Sequence, residues 1–201
     1  MKHEFSSKSA TAKLVAGAIS RDRQACDELV SLLYPLVAKI VRPYAKRSGN
    51  EQDWEQEVFL RFFARLPQFR GESPIEHWTA KLAVNVCLDL LRKRSVRREL
   101  RWADLGETEA TLIREGFSKE TSIDECVASR DLADRLLESL AAEDQVILRM
   151  LDMEERSVAE IADFLGRTQS AVKVRAMRAR RKLENLLSEW EVKKDNVPTT
   201  S

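Results

Sequence analysis

A short helix, a tight turn and a longer basic helix are written into SVAEIADFLGRTQSAVKVRAMRARRKL, residues Ser157–Leu183. Ser157 and Glu160 have the spacing of a capping box, in which each side chain satisfies a backbone N–H of the other. Ile161 and Leu165 then face inward, and Gly166 falls where a helix end calls for a left-handed residue. Thr168 can cap the next helix. Val172, Ala176, Ala179 and Leu183 follow at i, i+4, i+7 and i+11, a buried seam whose small residues let the first helix cross closely. The pattern predicts a helix-turn-helix.

From Ala171 to Lys182 there are six basic residues and no acid. Ser170, Lys173, Val174, Met177, Arg178 and Arg181 form a face away from the seam, flanked by Arg175 and Arg180. In a DNA major groove, Gln169, Ser170 and Lys173 would offer base-edge contacts, Arg178 could reach either a base edge or a phosphate, and the later arginines would neutralise phosphates. The competing reading is a merely solvated basic face; the absence of acids and the in-register turn signals favour DNA.

The chain around this element has 201 residues, 33% of them charged, with only 6 Gly and 5 Pro. So little turn chemistry argues against a sandwich or barrel and for long helices. No apolar run approaches the length of a membrane span, and the N-terminus lacks a secretory pattern, so a cytoplasmic protein is expected. The net charge of +1 conceals strong segregation. Arg92, Lys93, Arg94, Arg97, Arg98 and Arg101 oppose only Glu99. From Asp104 to Glu125, seven acids outnumber two bases. Cys26, Cys87 and Cys126 are far apart, with no metal spacing, and read as small buried or half-buried thiols.

In the first half, helical spacing runs from about Ala10 to Ile19 and from Asp22 to Leu33, where Pro35 should break the run and open another helix to about Lys46. A further helix is expected over Glu51–Leu66, with Trp54, Val58, Leu60, Phe62 and Phe63 crowding one broad side. It carries the acids Glu51, Asp53, Glu55 and Glu57. Ser73-Pro74-Ile75-Glu76 reads as a second capping box, with Ser73 as the cap, opening a helix to about Arg98. Trp78, Leu82, Val86 and Leu90 form its packing stripe; Lys81, Asn85, Asp89 and Arg92 lie on another face. The expected fold is all-α: two small helical domains over 10–98 and 129–190, a flexible acidic linker over 99–128 with a helical turn near Ala110–Arg114, and a polar tail over 191–201. The second domain should hold helices near 131–139, 143–151, 158–165 and 169–189.

The whole chain resembles the extracytoplasmic-function class of bacterial RNA polymerase sigma factors, over roughly Ala12 to Leu187. Asp53-Trp54-Glu55-Gln56-Glu57-Val58-Phe59 is similar to that family's acidic D-x-x-Q-E-V-F helix. Phe69-Arg70-Gly71-Glu72-Ser73 matches its F-R-G-E-S loop, and His77-Trp78 with Leu82-Ala83-Val84-Asn85 matches the helix that follows. Leu165-Gly166, Ala171–Arg175 and Arg178–Arg180 match its C-terminal pattern. Asn50, Arg167-Thr168, Val174 and Met177 depart from the usual residues, and the last four lie on or beside the basic face.

The resemblance implies that Asp53, Gln56, Glu57 and Leu60 bind the β′ clamp helices of core polymerase, which also contributes its β subunit as a partner. It implies that Phe69, Arg70, Gly71, Ser73, Lys81, Asn85, Arg92, Lys93 and Arg94 engage and open the −10 element of promoter DNA. Flipping a base there costs a few kcal/mol and needs a pocket plus cations for the freed strand. Trp78 is either core or a strand-separating wedge. Gln169, Ser170, Lys173, Val174, Arg175, Met177, Arg178 and Arg181 would bind the −35 element. An anti-sigma factor is a further implied partner; no metal or cofactor is. An enzyme is not expected, because the sequence holds no phosphate loop, nucleophile triad or metal cluster. The alternative is an ordinary helix-turn-helix regulator with an N-terminal dimerisation or sensing half.

Overall fold

The computed structural model describes residues 2–45, 50–104, 134 and 136–195, with side chains over 10–45, 50–96, 134 and 136–188. All regular structure among these is helical. The chain divides into two compact units, Met1–Leu91 and Arg92–Ser201.

The first unit begins with α1 (Lys2–Ile19), which packs on α2 (Arg23–Ala45). Their crossing is tight at Gly17, where an added Cβ would stand 2.8 Å from that of Ala25. Asp22 starts α2, its carboxylate accepting from the Ala25 N–H at 2.9 Å. Pro35 does not break this helix: α2 runs through both Pro35 and Pro43. Leu29, Leu33, Val37 and Val41 explain why. They form an unbroken i, i+4 stripe with no solvent exposure, and each such side chain stabilises the fold by about 1.5–3 kcal/mol. Pro35 is exposed on the other side, where the Ser31 carbonyl freed by its missing N–H can meet water.

Helix α3 (Glu51–Arg65) packs on α2 and ends in a 3₁₀ turn, Leu66–Gln68. Trp54, Val58 and Phe62 are buried at i, i+4 and i+8. Leu60, expected on that side, is 67% exposed instead. Two residues past Val58, it is turned by about 200° at 3.6 residues per turn.

Helix α4 (Ile75–Asp104) is longer than expected, continuing past Arg98 through the first residues assigned to the linker. Its start also differs. The Pro74 carbonyl accepts the Trp78 N–H at 3.2 Å, so the helix begins one residue later than the Ser73 box requires. Among the described residues Ser73 makes no capping hydrogen bond. Leu82, Ala83, Val84, Val86, Cys87, Leu88 and Leu91 are buried, so α4 threads the core of the unit. Burial pushes the Cys87 thiol up to about 12, which makes it a core hydrophobe at neutral pH. The expected helical turn at 110–114 and Cys126 lie outside the described residues.

In the second unit, residues 136–138 are helical, and α5 (Ala142–Leu148) leads into a π-helical turn, Arg149–Met153. Helices α6 (Val158–Leu165) and α7 (Gln169–Asp195) complete it, with α5 and α6 both packed on α7. Val146, Ile147, Met150, Ile161, Phe164, Val172, Ala176 and Ala179 make the core. Leu165 and Leu183 are half-buried rather than fully inward.

Candidate nucleic-acid interface

The turn between α6 and α7 is fixed by local chemistry. Ser157 Oγ accepts from the Glu160 N–H at 3.2 Å, and the Ser157 N–H donates back to Glu160 Oε2 at 2.8 Å, closing the capping box. The Ser157 hydroxyl hydrogen bond, then its backbone N–H, hold the Glu160 carboxyl below its ordinary pKa. Gly166 is left-handed at φ 61°, and Thr168 Oγ1 accepts from the Ala171 N–H at 3.2 Å. These contacts set the angle at which α7 leaves the turn.

On α7, Gln169, Ser170, Lys173, Val174, Met177, Arg178 and Arg181 are all exposed, opposite the buried Val172, Ala176 and Ala179. The six bases of the sequence divide into two sets. Lys173, Arg178 and Arg181 point outward and pair with no acid among the described residues. The other three are engaged within the unit. Arg175 is half-buried, its Nε donating to Asp144 Oδ1 at 2.9 Å, with Glu143 Oε2 at 3.5 Å. Arg180 donates to Asp152 at 2.6 Å, and Lys182 to the Ser139 carbonyl at 3.1 Å.

Glu143 is buried, and Arg167 in the turn donates to it at 2.9 Å. It therefore ties the turn and α7 to the start of α5. No sequence spacing marks Glu143 or Asp144. Their partners lie 24 and 31 positions away, beyond any local spacing rule.

On α3, Asp53, Gln56 and Leu60 are exposed and Glu57 is half-buried, a contiguous strip at i, i+3, i+4 and i+7. Glu57 accepts from Arg61 Nε at 2.8 Å, and Arg61 donates onward to Asp89 of α4 at 2.7 Å. Those bonds, that to Asp89 foremost, raise the Arg61 pKa and lock the base of the strip to α4. Glu55 is turned inward to α2. Its hydrogen bond to the Tyr34 phenol, then its charge, raise the pKa of that phenol.

The loop after α3 places the remaining candidates. Phe69 is half-buried with its ring 5.4 Å from that of Trp78, which lies 5.6 Å from Phe62. Trp78 is thus half-buried, between a core ring and a loop ring. Arg70 is exposed, with Glu72 3.9 Å away, and Gly71 is left-handed at φ 72° with open space around it. Asn85, Arg92 and Lys93 are exposed; Ser73, Lys81 and Arg94 are half-buried. Gly71 and Phe69 therefore lie together in one loop, while Lys81, Asn85 and Arg92–Arg94 extend along α4. No group of His, Cys, Asp and Glu among the described residues is arranged to hold a metal. No helix among them is long and apolar enough to cross a membrane.

Comparison with known proteins matches both halves of the chain. Sigma-70 region 2 matches residues 29–97, and sigma-70 region 4 matches residues 130–183. The ECF RNA polymerase sigma-E factor of Escherichia coli is 29% identical over 169 residues, covering 82% of this chain and 87% of the relative. The ECF RNA polymerase sigma factor SigM of Mycobacterium tuberculosis is 26% identical over 176 residues, covering 88% and 84%. The solved sigma factor RpoE of Bartonella quintana, in complex with the anti-sigma factor NepR, shares the fold at a TM-score of 0.50. It is 19% identical, with 81% of this chain and 96% of that one covered. With both regions matched in order and the relatives spanning most of its length, the chain belongs to the extracytoplasmic-function class of the sigma-70 family.

Proposed function

We propose that this sigma factor docks on the β′ clamp helices of core RNA polymerase through Asp53, Gln56, Glu57 and Leu60, and carries the enzyme to promoters. The −10 element is held and opened by the Phe69–Ser73 loop with Lys81, Asn85 and Arg92–Arg94. The −35 element is gripped by the outward strip of α7, with Lys173 and Ser170 toward base edges and Arg178 and Arg181 toward phosphates. Arg175 acts behind that strip, holding α7 to Asp144 and Glu143. The domains assigned to these tasks are 10–98 and 129–190, joined by the acidic 99–128 segment. The factor does no catalysis of its own, works in the cytoplasm, and is open to restraint by an anti-sigma factor.

The observation that carries this reading is Leu60, 67% exposed beside Asp53, Gln56 and Glu57. A greasy side chain left in water among acids suits a partner that is basic and offers an apolar seat. A helix-turn-helix regulator would instead use the same side chain for self-association of its N-terminal half. The test is permanganate probing of promoter thymines with the purified chain and core polymerase alone. Reactive thymines near the −10 element support the reading. Reactivity that appears only when another sigma factor is added overturns it in favour of the regulator.

A further inference from the structure

We propose that Val174 and Met177 read thymine, their side chains seating against the 5-methyl groups of thymines in the −35 element. This deepens the DNA-binding reading of α7 and rests on it.

Two large apolar side chains on α7 stand in solvent: Val174 is 41% exposed and Met177 62% exposed. They are three residues apart, so they are neighbours on one helix face. Neither belongs to the seam, which Val172, Ala176 and Ala179 fill at 0–3% exposure. Their surroundings are polar and cationic. Ser170 lies one turn before Val174, Lys173 beside it, and Arg178 and Arg181 beside and one turn beyond Met177, all exposed. A strip whose charges serve DNA thus has an apolar centre that folding does not use.

The chemistry of the major groove narrows what that centre can touch. Most of the groove floor is donors and acceptors, and the thymine 5-methyl is its apolar group. An aliphatic side chain pressed on a guanine or cytosine edge strips water from polar atoms and returns no hydrogen bond, which is unfavourable. Against a thymine methyl the same side chain removes apolar surface from water. Val174 is β-branched and stiff, whereas Met177 is unbranched and adaptable. Val174 should therefore discriminate more sharply than Met177.

The test uses the full chain with core polymerase. A −35 element is selected from randomised DNA, and each thymine in it is then replaced by uracil, which removes the methyl alone. Wild type should lose about fourfold in affinity for each methyl that is read, the value of one buried methylene-sized group. Val174→Ala should bind thymine and uracil alike at one position, and Met177→Ala at another. Both sites are exposed and alanine favours helix, so unchanged thermal melts will show that the variants fold. Equal binding of thymine and uracil by wild type, or a selected element without thymine, overturns the proposal while leaving the sigma-factor reading intact. Selection of no DNA at all in the presence of core overturns that reading and this proposal with it.

Discussion

Helices α3 and α7 are opposite in charge and alike in plan. Each buries a narrow apolar stripe: Trp54, Val58 and Phe62 on α3, Val172, Ala176 and Ala179 on α7. Each spends part of its charge internally. On α3, Glu55 is turned to Tyr34, and Glu57 shares Arg61 with Asp89. On α7, Arg175, Arg180 and Lys182 are tied down by neighbouring elements. Each then presents a short outward strip that includes exposed apolar side chains, Leu60 at the end of one and Val174 with Met177 within the other. The difference lies in support. The α3 strip is locked by one arginine, whereas the α7 strip is set by a capping box, a left-handed glycine and the buried Glu143. Docking on a protein surface tolerates side-chain adjustment, but base-edge contacts need a helix held at a fixed angle.

The largest effect should come from reversing charge on the α3 strip. Asp53→Lys with Glu57→Lys should abolish core binding, since like charges facing each other cost several kcal/mol, while circular dichroism stays unchanged. Retained affinity would remove these residues from the docking face. Next, Lys173→Ala should weaken −35 binding by about 1–3 kcal/mol if its base contact is good. An equal loss on every sequence would assign Lys173 to phosphate instead.

Smaller effects separate the two capped starts. Ser157→Ala should lower stability by about 1 kcal/mol, read by thermal or denaturant unfolding, whereas Ser73→Ala should leave it nearly unchanged. The Ser157 effect should also depend on pH. Glu160 has a lowered pKa in the folded state, so its contribution is complete above the unfolded glutamate value and is lost as pH falls through the folded one. The Ser157→Ala penalty should therefore shrink in acid. The finest test is the salt dependence of DNA binding. Arg178→Ala should flatten the log–log slope by about 0.9. Arg175→Ala should leave the slope alone and reduce stability instead. A flattened slope with Arg175→Ala would place that residue on DNA.

What the sequence reveals here depends on how far apart the cooperating residues lie. The Ser157 box, Gly166, Thr168 and the Val172–Ala176–Ala179 seam are local, and each appears in the structure as its spacing implies. The same letters mislead at Ser73, because Pro74 takes the cap position there. Pro35 misleads because a four-residue stripe outweighs one lost backbone bond. Leu60 is legible from its angle to Val58, although its apolar character groups it with the buried side. Arg175 borders the seam, but its partners Glu143 and Asp144 become visible only once α5 is packed on α7.

The central claim is that this chain rides on core RNA polymerase, and direct association tests it best. Purified full-length chain mixed with core at low ionic strength should form a stable complex that weakens as salt is raised. No complex under those conditions would contradict the account, however tightly the second unit holds DNA.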